Sequence, residues 1–160
     1  MLRTFESHYW LLPHASAGIW PPAQVLVSTP SRAYTVGNIS QLLADLPYQP
    51  GVAMYRRTGA LATVANVSAP GVNVYHLFGT GVPTAERLNY ATDDSWDAGA
   101  SAVMGDGDGS VNAVSLRALG RWAVEDPAHT FIAKEFPGKE HLEMMTDPAS
   151  VALIVSICLK

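Results

Sequence analysis

The residues in this chain best suited to chemistry are a carboxylate and an imidazole carried on two separate turns. The first turn reads Gly105-Asp106-Gly107-Asp108-Gly109-Ser110-Val111-Asn112, and the second reads Gly138-Lys139-Glu140-His141. A carboxylate that accepts a hydrogen bond from one imidazole nitrogen fixes the tautomer, leaving the other nitrogen able to take a proton from a nucleophile. Asp108 and His141 are therefore the candidate acid and base. Asp106 is the alternative carboxylate; Asp108 is favoured because it stands immediately before the Gly-x-Val step that fits the turn into a following helix. A Gly-x-Ser-x-Gly nucleophile turn does not occur in the sequence. Its nearest approach, Gly99-Ala100-Ser101-Ala102-Val103, ends in Val where the sharp turn needs a small residue.

Other chemistries fit the Asp turn less well. An EF-hand register starting at Asp106 puts Val111 where Gly is required and Arg117 where the bidentate Glu is required. A plain Asx turn, in which the carboxylate ties down its own backbone, is the competing reading of Asp108 taken alone. The Glu140-His141 turn downstream is what favours the chemical reading. His8, His14, His76 and His129 read as structural, and no His, Cys or carboxylate set has zinc spacing: four residues after His141 stands Met145. Neither a metal nor a cofactor is expected.

To bring such a pair together the chain needs two strands that end at the same edge of a sheet, because turns at the carboxyl ends of parallel strands open into a shared crevice. Short strands are expected at Gln24–Ser28, Gly71–Gly79, Arg87–Tyr90, Ala102–Met104 and Thr130–Phe136, with a turn over Gly79–Pro83. Helices are expected at Asn38–Leu46, Ala113–Val124 and Met144–Leu159, the last interrupted at Asp147-Pro148, where Asp147 can cap and Pro148 can occupy the first turn. Alternating strands and helices predict an α/β fold with a mostly parallel sheet. The single helix between Asp108 and the Thr130–Phe136 strand predicts that the Ala102–Met104 and Thr130–Phe136 strands are parallel near neighbours. The first thirty residues, aromatic and Pro-rich, are expected to cross the core irregularly, with the Trp10-Leu11-Leu12-Pro13 patch buried rather than touching lipid.

The bulk properties are those of one globular domain or part of one. The chain has 160 residues, 48% of them hydrophobic and 15% charged, and a formal net charge of −4. Lys and Arg are scattered without forming a basic stripe, so nucleic acid is not an expected partner. The run Val151–Val155 is too short to cross a bilayer. Met1-Leu2-Arg3-Thr4-Phe5-Glu6 turns acidic before an apolar region develops, so no signal-peptide pattern is visible. The one cysteine, Cys158, cannot form an internal bridge. Two N-glycosylation acceptor patterns occur, at Asn38 and Asn66.

The string Val74-Tyr75-His76-Leu77-Phe78-Gly79-Thr80-Gly81-Val82-Pro83-Thr84-Ala85-Glu86-Arg87 resembles the lecithin:cholesterol acyltransferase family, which includes lysosomal phospholipase A and phospholipid:diacylglycerol acyltransferases. Further pieces match in the same order: Trp10–Pro13, Ser28–Ser31 with Tyr34-Thr35, Gly105–Asn112 with Trp122, and Phe136–His141. The Val111-Asn112 continuation is more similar to the lysosomal phospholipase branch.

The resemblance implies an α/β-hydrolase fold, of which this chain is the C-terminal half: one partial domain over 1–160, with a cap-like crossing and helix in 1–70 and core strands and helices in 71–160. It implies lipid acyl transfer or hydrolysis (an O-acyltransferase or phospholipase A) through a Ser-His-Asp triad. Asp108 is then the triad acid and His141 the base, and Ser lies in sequence outside this chain, as in a truncated gene model. The implied partners are a phospholipid or other lipid substrate, a membrane or lipoprotein surface, and the missing N-terminal half of the domain. The implied compartment is lumenal (lysosome or vacuole, endoplasmic reticulum) or secreted. In the family a disulfide usually joins the positions held here by His76 and Gly120. Without nucleophile and oxyanion loop, the chain alone is expected to be inactive. The alternative is a non-catalytic remnant that binds lipid or a partner.

Overall fold

The computed structural model of the protein describes residues 5–64, 68–94 and 96–159; the acceptor pattern at Asn66 lies outside the described residues, as does the start of the chain through Thr4. The architecture is α/β with mixed sheet pairing, and the chain forms two compact units, one from Met1–Ser68 with Arg87–Val103 and one from Ala69–Glu86 with Met104–Lys160.

The first unit has an apolar centre of its own. Helix α1 (Glu6–Trp10) contributes Tyr9, α2 (Ile39–Asp45) contributes Ile39 and Leu43 one turn apart, and α3 (Pro50–Val64) contributes Tyr55. Leu12, Leu26, Leu46, Val52 and Met54 pack around them. Helix α2 stops at Leu46, whose extended backbone (φ −73°, ψ 147°) is the conformation that Pro47 imposes on the residue before it. Helix α3 has no counterpart in the sequence reading, because Gly51 and Gly59 weaken its signal. Both glycines serve close approach: a Cβ on Gly51 would lie 2.9 Å from the Tyr9 hydroxyl, and one on Gly59 would lie 3.2 Å from the His14 ring. That ring is buried, stacks on Tyr55 at 4.2 Å, and has its pKa lowered by burial, as a structural histidine should.

The expected burial of the Trp10–Pro13 patch holds for Leu12, which packs on the cluster, and is corrected for Trp10 and Leu11. Trp10 is 54% and Leu11 82% exposed, because α1 turns Tyr9 inward and so carries the next two residues to the outer side. Strand β1 (Val25–Ser28) pairs antiparallel with β2 (Ala33–Thr35) and parallel with β4 (Val82–Asn89), the latter through Val27–Leu88 and Ser28–Asn89.

In the second unit, β3 (Val74–Thr80) and β6 (Phe131–Pro137) form a parallel pair in continuous register from Val74–Phe131 to Thr80–Pro137. The expected turn over Gly79–Pro83 is instead a single kink. The chain leaves β3 at Thr80, turns at Gly81 (φ +76°) and continues directly as β4. Strand β5 (Ser101–Gly107) returns along β4, with Gly105 over Glu86 and Gly107 over Thr84, the order of an antiparallel hairpin. The strands leading to Asp108 and His141 are therefore not the parallel neighbours the sequence suggested. Strand β4 runs far enough past Gly81 to occupy β5, which leaves β6 to pair with β3. The pairing is accordingly mixed rather than mostly parallel.

The helix expected over Ala113–Val124 is also broken, into α4 (Ala113–Leu116), a 3₁₀ stretch (Arg117–Arg121) and α5 (Trp122–Glu125), with Gly120 in the 3₁₀ part. Helix α6 (Pro148–Cys158) begins as expected, with Asp147 accepting hydrogen bonds from the N–H groups of Ala149 and Ser150.

Candidate active site

Asp108 sits directly after β5, and its two carboxylate oxygens do different work. Oδ1 accepts the backbone N–H groups of Ser110 (3.0 Å) and Val111 (2.7 Å), closing an Asx turn. Oδ2 lies 2.7 Å from Nδ1 of His141. The structural and chemical readings of this Asp are thus compatible, one oxygen serving each. Gly109 (φ +83°) lets the loop double back, and its N–H donates to Oγ1 of Thr84 at 2.9 Å while that hydroxyl donates to the Val82 carbonyl. Asp106, the alternative carboxylate, is directed elsewhere: its Oδ1 accepts the Gly81 N–H and its Oδ2 faces Arg117.

The His141 turn is held against the same strand junction. The Gly138 N–H donates to the Thr80 carbonyl at 2.6 Å and the His141 N–H donates to the Asp108 carbonyl at 2.8 Å. Gly79 is the point of closest approach, where any Cβ would overlap the Lys139 carbonyl oxygen. The Lys139 ammonium donates to Glu143 and to the α6 cap Asp147, both at 2.8 Å, so the turn and the start of α6 are tied together. Lys139, Glu143 and Thr84 were not legible as site residues; only the Asp147-Pro148 cap carried a sequence signal, and it pointed to a helix start.

Burial divides the pair. The Asp108 side chain is 3% exposed and that of His141 48%. Burial alone would raise the Asp108 pKa, but the Val111 N–H, the His141 ring and the Ser110 N–H outweigh it and hold the carboxyl below its ordinary value. An ionised carboxylate only accepts, so the imidazole nitrogen facing it carries the hydrogen and Nε2 is left as the nitrogen with a free lone pair. Among the described residues no group of three or more His, Cys, Asp or Glu side chains gathers where a metal ion could be held.

A buried carboxylate thus holds a half-exposed imidazole, and comparison with known proteins places the segment that carries both in a family. The family model described as lecithin:cholesterol acyltransferase matches residues 61–148, which contain both Asp108 and His141. The chain belongs to the lecithin:cholesterol acyltransferase family. Among curated proteins, this family member is 32% identical over 157 residues to lysosomal phospholipase A and acyltransferase of Homo sapiens, an alignment that covers 98% of this chain and 36% of the human protein. It is 32% identical over 158 residues to the Mus musculus protein of the same name, with 99% and 37% covered. It is 30% identical over 136 residues to phosphatidylcholine-sterol acyltransferase of Eliomys quercinus, with 85% and 44% covered. The chain spans little more than a third of the length of the first two relatives. The family is one of lipid acyltransferases and phospholipases.

The positions where the resemblance implied a disulfide are filled differently in this family member. His76 stands in β3 with its ring 4.6 Å from Phe78, its pKa lowered by burial, and Gly120 has open space where a side chain would begin.

Proposed function

We propose that Asp108 and His141 are the acid and base of a Ser-His-Asp triad that transfers an acyl chain from a phospholipid to water or an alcohol. In this reading the chain is the C-terminal part of an α/β-hydrolase catalytic domain. Residues 1–70 form a cap-like crossing with helices, residues 71–160 carry core strands, and the nucleophile comes from sequence this chain does not contain. Asp108 keeps Nδ1 protonated and stabilises the imidazolium. His141 Nε2 takes the serine proton as the acyl-enzyme forms and returns a proton to the leaving group. The lipid would reach this site from a membrane or lipoprotein surface. The observation that carries the reading is the 2.7 Å contact between a buried carboxylate and a half-exposed imidazole, within the segment that matches the family.

The test is fatty-acid release from phosphatidylcholine vesicles by the protein as translated from its natural transcript, beside His141→Ala and Asp108→Asn. Asp108→Asn should reduce release by roughly 10⁴-fold and His141→Ala by roughly 10⁶-fold, the costs that go with losing the acid and the base of a triad. Release unchanged in His141→Ala would overturn the assignment. A second reading, a non-catalytic remnant that binds lipid or a partner, is favoured by the absence of a Gly-x-Ser-x-Gly turn from the sequence. It requires that the natural translation product release no fatty acid and that His141→Ala leave vesicle binding unchanged.

A further inference from the structure

The strands that deliver Asp108 and His141 share no backbone ladder; loop hydrogen bonds from the His141 N–H to Asp108 and from the Gly138 N–H to Thr80 tie their ends, and a second link lies further back along the strands. A side-chain bridge spans them. The Arg117 guanidinium donates through Nε and Nη2 to the two carboxylate oxygens of Glu135 on β6, both at 2.8 Å, and its Nη1 lies 3.4 Å from Asp106 on β5. Asp106 in turn accepts the Gly81 N–H at 2.8 Å, at the kink where β3 becomes β4. One guanidinium therefore joins the strand before His141, the strand before Asp108 and the junction between them. The fork geometry matters, because two parallel N–H···O bonds fix an angle as well as a distance, which a lone ammonium cannot do.

The side chains of Arg117, Asp106 and Glu135 are 40–48% exposed, a setting in which an isolated ion pair contributes little to folding; a bidentate fork within a network of charges contributes more, and it also fixes orientation. We propose that Arg117, with Asp106 and Glu135, is a positioning residue that sets the approach of the His141 turn to Asp108 without touching either member of the pair. The proposal rests on the triad reading for its functional meaning, but its geometry can be tested apart from catalysis.

The measurement is the tautomer of His141 in the ¹⁵N-labelled 160-residue chain at mildly alkaline pH, read from its imidazole nitrogen shifts and from the hydrogen-bonded Nδ1–H resonance. In the unaltered chain the Nδ1–H form should dominate, and Asp108→Ala should abolish it. If Asp108→Ala leaves the spectrum unchanged, the Asp108–His141 pair itself fails, and the triad reading with it. If Asp108→Ala shifts the tautomer and Arg117→Ala does not, the pair stands and the positioning role is overturned. The expected result is loss of the Nδ1–H resonance in Arg117→Ala with the helical circular dichroism retained. Arg117→Lys, which keeps the charge and loses the fork, should give a mixture of the two forms. Should Arg117→Ala fail to fold, Arg117→Lys and Glu135→Gln decide: an unaltered tautomer in both refutes the proposal.

Discussion

The two compact units differ in the balance of what they bury. The first buries Tyr9, Trp20, Val27, Tyr34, Val36, Ile39, Leu43 and Tyr55, an interior mainly of aromatic and branched side chains that also takes in His14 and Thr58. The second buries Thr80, Thr84, Asp108, Asp147 and Ser150 beside Phe78, Ala113 and Phe136, and leaves Leu142, Met145, Ile154, Val155 and Leu159, in α6 and the residues flanking it, exposed to solvent. The first unit is held by apolar burial, which is tolerant of direction. The second is held by hydrogen bonds whose geometry is demanding, and it carries the candidate site. The contrast shows where this molecule needs precision: around Asp108 and His141 polar groups are buried because each has a specific partner, and an apolar substitute of the same shape would leave that partner unsatisfied.

The contrast can be broken experimentally. Its largest expected effect is in the first unit, where Leu43→Ala should cost about 2–5 kcal/mol in urea unfolding, through lost burial and the cavity left behind. A cost no larger than that of truncating the exposed Leu11 would mean that the apolar cluster does not support the unit. In the second unit the informative change removes no volume. Thr84→Val keeps the shape of a 2%-exposed side chain but strands the Gly109 N–H and the Val82 carbonyl, and should cost about 1–3 kcal/mol. A neutral or stabilising Thr84→Val would show that apolar contact dominates there as well.

The smallest effect is in the pH dependence. The Asp108 carboxyl is held below its unfolded value, so the stability it contributes is fully present above the ordinary carboxylate pKa and is lost as pH falls through the depressed folded value. Asp108→Asn should therefore flatten the acid limb of a stability-against-pH curve. An acid limb of unaltered steepness would show that Asp108 is not held as an ionised acceptor.

Much of the candidate site was legible beforehand, for identifiable reasons. Glycines around Asp108 and before His141 announced turns, and their order along the chain matched that of a triad. The cap at Asp147-Pro148 was readable because both residues act locally. What escaped detection depended on contacts between distant segments. Helix α3 was hidden by glycines whose purpose is to admit the Tyr9 and His14 rings. Arg117 and Glu135 look like ordinary surface charges until the fold sets one against the other.

The amino-acid sequence by itself determined which side chains could form the acid–base pair, since turn-forming glycines and the carboxylate–imidazole chemistry are properties of single residues and their neighbours. Tertiary structure alone decided how the pair meets. Strand partners are chosen by competition among all the edges in the molecule, and the kink at Gly81, which gives β5 to β4 and β6 to β3, is an outcome of that competition.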